Sequence, residues 1–235
     1  MNNRTACSNI HVRYKQGDNH MTITIREPGS AFTHLAAAVL VTFGAFPLLI
    51  KAAGHSGKAL TAMAVFAVSL LLLYGASTTY HAVNLGGKAL RVFKKIDHLM
   101  IFVLIAGSYT PVALCVLPKE TGYPLMAVVW GIALAGMVFK LFWVTCPKWL
   151  SSCIYIALGW ACIPVTGLLW NTLSRPAFLW LLAGGLIYTA GGVVYALKLA
   201  AFNEKHPWFG SHEIFHLFVM GGSFCHFVFM FRYVL

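Results

Sequence analysis

Three histidines, an aspartate and a serine stand out in a chain with few polar side chains. Ser77 and His81 bound the run Ser77-Thr78-Thr79-Tyr80-His81, Asp97 follows a basic connection, and His212 and His216 bound His212-Glu213-Ile214-Phe215-His216. Residues four apart on a helix share a face, about 6 Å apart along the axis, so Ser77 sits beneath His81 and His216 beneath His212. Three imidazoles and a carboxylate brought together match a catalytic zinc site, which takes three protein ligands and keeps a fourth position for water. Asp97 either ligates the metal directly or holds that water. The same pair also reads as His-Glu-x-x-His, in which two histidines bind zinc and Glu213 is the general base of a metalloprotease. A membrane-embedded protease of that kind needs a third ligand from an Asn-Pro-Asp-Gly turn. No such turn exists here, and the only aspartates are Asp18 and Asp97.

The elements that must position these residues are transmembrane helices. Of the 235 residues, 59% are hydrophobic and 10% charged, and the mean hydropathy is +0.76, whereas a soluble domain carries charge on about a quarter of its residues. Apolar runs fall at about 31–52, 59–82, 97–117, 123–143, 149–170, 177–200 and 212–234, each long enough to cross a hydrocarbon core about 30 Å thick. The fold class is therefore an all-α integral membrane protein. It comprises a seven-helix bundle over residues 29–235 and a polar tail over residues 1–28, floppy over its first 20 residues. The longest polar connection is 83–96, which makes Asp97 the opening of the third helix. Gly184, Gly185, Gly191 and Gly192 permit close helix approach, and Pro111 and Pro164 kink their helices. Four of the six cysteines lie inside apolar runs and there is no Cys-x-x-Cys pair, so they read as packing residues.

The formal charge of +11 does not point to nucleic acid, because the basic residues lie between the apolar runs and form no single patch. They are topology signals. Twelve of the 17 Lys and Arg fall on the side of the N-terminus and five opposite, which puts the N-terminus in the cytoplasm and the C-terminus outside. All the chemical clusters then map to cytoplasmic helix ends, a coincidence that the Lys and Arg count did not use. Among the other histidines, His98 points about 100° away from Asp97 and reads as structural. His34 reads as a satisfied core histidine. His226, fourteen positions after His212, shares that face about 20 Å deeper and lines a cavity above the metal.

Taken together, Ser-x3-His, an Asp after a basic connection and His-x3-His in the last helix resemble the hemolysin III group of the progestin and adipoQ receptor family. The stretches Lys95-Ile96-Asp97-His98 to Ile105-Ala106-Gly107-Ser108-Tyr109-Thr110-Pro111 and Ser211 to His216 are especially similar to its bacterial members. The resemblance implies a cell-membrane protein with zinc on His81, His212 and His216 near the cytoplasmic face, and Asp97 and Ser77 beside the zinc-bound water. The wider group includes alkaline ceramidases, which implies hydrolysis of a lipid amide or ester, or lipid homeostasis, with a membrane lipid or fatty-acyl ligand as partner. The alternative it leaves open is a haemolytic, membrane-perturbing protein or non-enzymatic regulator with structural zinc.

Reporter fusions or cysteine labelling at the two ends test the topology: residues 1–28 should report from the cytoplasm and Leu235 from outside. Two ends reporting from one side would mean an even number of crossings and overturn the seven-helix reading.

Overall fold

The computed structural model describes residues 10–16, 19–206 and 209–235. Strands β1 (Ile10–Gln16) and β2 (Asn19–Ile25) precede helices α1 (Pro28–His55), α2 (Gly57–Ala82), α3 (Gly87–Pro111), α4 (Lys119–Phe142), α5 (Lys148–Gly159), α6 (Thr166–Thr172), α7 (Arg175–Leu197), α8 (Ala200–Lys205) and α9 (Ser211–Phe229). Among the described residues, seven spans are long and apolar enough to cross a membrane, with α5 and α6 forming one broken span between them. Helices are the solution the solvent imposes, since a helix satisfies its backbone polar groups within itself. The connections are short and locally capped. Ser56 alone joins α1 to α2, its hydroxyl accepting from Ala59 N at 3.0 Å, and Ser174 caps α7 in the same way.

The spans differ in how deeply they sit. Within their most apolar windows, the third, second and seventh spans are 61%, 50% and 44% buried, against 17 to 22% for the other four. The inner spans are thus those built on α2, α3 and α9, and these carry His81, Asp97 and the His212–His216 pair. Tyr74, Phe66, Phe102 and Phe229 fill the space between them. α7 lies along α9, and glycine makes that approach possible. A β-carbon on Gly191 would come within 2.7 Å of Phe218 Cβ, and one on Gly222 within 2.7 Å of the Tyr188 ring. Gly184 and Gly192 are similarly crowded, by His226 and Ile156, whereas Gly185 has open space beside it.

Four expectations change. First, the tail is not floppy throughout: Ile10 pairs with Ile25 and Gln16 with Asn19 in an antiparallel hairpin, favoured by β-branched residues such as Val12, Thr22, Ile23 and Thr24. Residues 1–9 and 17–18 lie outside the described residues. Second, α3 starts at Gly87, so Asp97 lies ten residues inside it. Lys88, Arg91, Lys94 and Lys95 are good helix formers and extend the helix beyond its apolar run. Third, the fifth span breaks between Gly159 and Thr166, around Pro164. At Pro111 the third span instead passes into a π-helical turn, Val112–Val116. Fourth, α8 is an extra short helix inside the α7–α9 connection. The described cysteines are all free, as read from the sequence.

Gly222→Ala should destabilise the bundle by about 1–3 kcal/mol through overpacking against Tyr188, whereas Gly185→Ala should not. Thermal melting in detergent, followed by tryptophan fluorescence, compares the two. Equal melting temperatures would show that the α7–α9 approach does not depend on Gly222.

Candidate metal centre

α2 carries His81 in its last turn and α9 carries His212 and His216 in its first two, and the three rings meet at one end of the bundle. His81 Nε2 and His212 Nε2 are 3.2 Å apart, and one ligand nitrogen from each of the three histidines lies within 4.8 Å of the others. His81 and His216 are buried and His212 is half-buried. This set can hold a metal ion.

The start of α1 supplies outer partners to two of the three rings. Glu27 Oε2 lies 2.5 Å from His81 Nδ1, and Arg26 bonds both that carboxylate (3.3 Å) and the Tyr80 carbonyl (2.8 Å). The backbone follows the same path, with Glu27 N donating to His81 O at 3.0 Å and Arg26 N to Ala82 O at 3.3 Å. Burial raises the Glu27 carboxyl, but its hydrogen bond to His81 and the neighbouring Arg26 guanidinium outweigh this and hold it below the usual carboxylate range. A carboxylate there accepts only, so His81 Nδ1 carries the proton and Nε2 presents its lone pair.

Thr33 plays the matching part for His216. Its Oγ1 donates to the Gly29 or Ser30 carbonyl, at 3.0 and 2.9 Å, and so accepts from His216 Nδ1 at 3.1 Å. His216 Nε2 is thereby left as a lone-pair donor too. His34 lies flat against His216, with ring centroids 3.5 Å apart and planes 7° from parallel. The satisfied core histidine expected at position 34 is therefore corrected, because neither of its ring nitrogens has a hydrogen-bond partner among the described residues.

Ser77 and Asp97 are buried, at 1% and 8% exposure, and line one cavity of about 200 Å³ with His212 and His216. Asp97 lies outside the three-histidine cluster whose ligand atoms share 4.8 Å. His98 is not turned away from Asp97: its Nδ1 lies 3.3 Å from Asp97 Oδ2 while bonding the Lys94 carbonyl at 2.9 Å. It joins the cavity wall, and the 100° spacing of the two α-carbons failed to anticipate a side chain that reaches back. The rest of the wall is mainly apolar, from α3, α5, α7 and α9, and includes Ile101, Leu104, Leu181 and Val219. His226 lines it as expected.

Glu213 faces elsewhere. One carboxylate oxygen accepts from Gly210 N at 2.8 Å, capping α9, and the other accepts from Ser30 Oγ. The sequence reading missed Thr33 and Ser30. Their signal is a polar stripe, Glu27, Ser30, Thr33 and His34, at helical spacing along the start of an apolar helix.

Over residues 23–227 the sequence matches the family described as Haemolysin-III related. It is 36% identical over 217 residues to Hemolysin-3 of Bacillus cereus, covering 92% of this chain and 95% of that protein. To the Hemolysin-3 homolog of Bacillus subtilis it is 38% identical over 203 residues, covering 85% and 91%. Progestin and adipoQ receptor-like protein 1 of Caenorhabditis elegans is more distant, 25% identical over 217 residues, which are 86% of this chain and 50% of that protein. With seven apolar spans and a histidine cluster at one end of the bundle, this chain belongs to the Haemolysin-III related family, the hemolysin III group of the progestin and adipoQ receptor family.

Proposed function

We propose that this protein is a zinc-dependent hydrolase of the cell membrane that cleaves the amide or ester bond of an acyl lipid, or a lipid-homeostasis regulator built on the same site. The observation that carries this reading is the meeting of three imidazole lone pairs with a mainly apolar cavity that Asp97 and Ser77 also line. The donor set fits zinc. Tetrahedral Zn–N bonds of 2.0–2.1 Å set neighbouring ligand nitrogens about 3.3 Å apart, close to the 3.2 Å between His81 Nε2 and His212 Nε2. Neutral imidazoles also suit zinc better than the carbonyl-rich sites of calcium or magnesium. When bound, zinc supplies a Lewis acid that polarises a carbonyl and lowers the pKa of a water towards about 7.

The chain's own residues divide the remaining work. Asp97 orients the attacking water, takes its proton on a carboxylate oxygen and returns it to the leaving amine or alcohol as the C–N or C–O bond breaks, with His98 beside it to stabilise the carboxylate charge. Ser77 donates its hydroxyl to the substrate oxygen. The wall from Ile101 to Val219 holds the acyl chain and keeps bulk water out. His226 lies fourteen residues beyond His212 on α9, about 20 Å along the axis, so the cavity can take an extended chain. The excess of Lys and Arg on the N-terminal side supports a cytoplasmic N-terminus, and with it a site near the inner leaflet.

A second reading has its own support. His81 and His216 are already oriented by residues of α1, so a metal at this point would also staple α1, α2 and α9 together, and two relatives carry the name Hemolysin-3. On that reading the zinc is structural and the protein perturbs membranes. The intramembrane protease reading has less support, because both oxygens of Glu213, its required base, are engaged in the α9 cap and with Ser30.

Protein purified without chelator should carry close to one zinc per chain by elemental analysis. His212→Ala or His216→Ala should lose most of it, and Glu27→Gln should weaken binding about 10-fold or more through His81. Absence of zinc from the wild-type protein would remove the metal from the reading.

Asp97→Asn and Ser77→Ala should retain zinc and melting temperature while losing hydrolysis of a panel of ceramides and other acyl lipids. A structural zinc gives the reverse pattern, with melting lowered by zinc removal and both variants functioning as wild type.

A further inference from the structure

His81 and His216 are each oriented through the ring nitrogen that faces away from the metal position, by Glu27 and Thr33. His212 is different: its Nδ1 has no hydrogen-bond partner among the described residues. Ring contacts with Tyr195 and Phe215, each at 5.9 Å between centroids, bound it without fixing its direction. Where His212 presents Nε2 therefore depends on the backbone that carries it, the first turn of α9.

Besides the Glu213 cap on Gly210 N, one side chain from α8 holds that turn. Asn203 accepts from Ser211 N at 2.6 Å through Oδ1 and donates through Nδ2 to the Lys198 carbonyl, also at 2.6 Å. Ser211 Oγ donates to the same carbonyl at 3.2 Å. Lys198 and Leu199 have φ of 57° and 32°, and they are the only non-glycine residues with positive φ among the described residues. Residues with a β-carbon enter this region at a cost, and they stay there only where the surroundings over-determine the backbone. At the end of α7 this conformation turns the chain so that the Lys198 carbonyl meets both Asn203 and Ser211. Gly210 completes the arrangement, since a β-carbon there would lie 2.6 Å from Asn203 Oδ1.

We propose that Asn203 is a positioning residue for the metal centre: by clamping the left-handed Lys198–Leu199 turn to Ser211, it sets the place from which His212 offers Nε2. The proposal rests on the metal-centre reading above. It assigns to the α7–α9 connection the task that Glu27 and Thr33 perform for the other two ligands.

The test measures zinc affinity by competition with a chromogenic chelator, and ligand geometry by the visible spectrum of the cobalt(II) form. Asn203→Ala should weaken zinc binding about tenfold, the scale on which outer partners of metal ligands act, and alter the cobalt spectrum. Adding Lys198→Gly should restore part of the affinity, because glycine holds the left-handed conformation without a clamp. Ser56→Ala removes a helix cap between α1 and α2, far along the sequence from the ligands. It should lower the melting temperature while leaving zinc affinity unchanged, which separates positioning from general stability. Wild-type affinity and spectrum in Asn203→Ala would overturn the proposal, as would an equal loss of affinity in Ser56→Ala. A wild-type protein that binds neither metal would instead remove the metal centre itself, along with this role. Should Asn203→Ala not accumulate, Ser211→Ala, which removes only the hydroxyl bond to Lys198, should show a smaller loss in the same direction, and no loss would count against the clamp.

Discussion

Inside a bilayer a polar atom has no water to bond, so each one must find its partner within the chain or within a cavity the chain encloses. The helices answer this constraint along most of the sequence. Where a helix fails, a side chain takes over: at the break in the fifth span, Tyr109 donates its hydroxyl to the Gly159 carbonyl at 2.6 Å and accepts from Cys162 N at 3.1 Å. Lys140 is fully buried and finds Ser151 at 2.6 Å and Cys146 at 3.1 Å. Tyr74 and Tyr188 converge on the one hydroxyl of Ser223, at 2.6 and 2.8 Å, joining α2 to α7 and α9.

The histidine cluster is the most demanding case of the same constraint. Crowded neutral imidazoles gain little from one another, and each needs its second nitrogen satisfied if the first is to remain a free donor. α1 meets this need for two of them, although it is itself a peripheral helix and contributes no ligand. Its first two turns carry Glu27, Ser30, Thr33 and His34 inward, against His81, Glu213 and His216. The Glu27 contact joins a charged acceptor to a buried ring, so it is stronger than a neutral hydrogen bond, although the 42% exposure of the Glu27 side chain lets solvent screen part of it. The site is therefore a product of three helices and the connection before α9, with the deeply buried α2 and α9 holding the ligands in place.

Legibility in the sequence followed the range of the interactions involved. Hydropathy and helical period are properties of neighbouring residues, and from them the seven spans, the shared face of Ser77 and His81, and that of His212 and His216 could all be read. The start of α3 could not, because the basic residues from Lys88 to Lys95 are polar by composition yet continue the helix without a break. Nor could the tail hairpin, whose alternating β-branched residues were outweighed by the polarity of the segment around them. His98 shows a finer limit: backbone spacing gives the direction of an α-carbon, and a side chain with two rotatable bonds reached back to Asp97.

The sequence by itself determined the number of membrane spans, the identity of the three histidines and their common end of the bundle, because each follows from local period and from apolar length. The tertiary structure alone decided that Asp97 stands outside the three-histidine cluster. It also decided that Glu27 and Thr33 fix two of the rings, that His34 stacks on His216, and that Glu213 caps a helix in place of serving as a base. Those outcomes depend on how far each helix is rotated about its axis and how closely its neighbours approach. Both are set by side chains such as Gly191, Gly222 and Phe102 meeting across positions far apart in the chain.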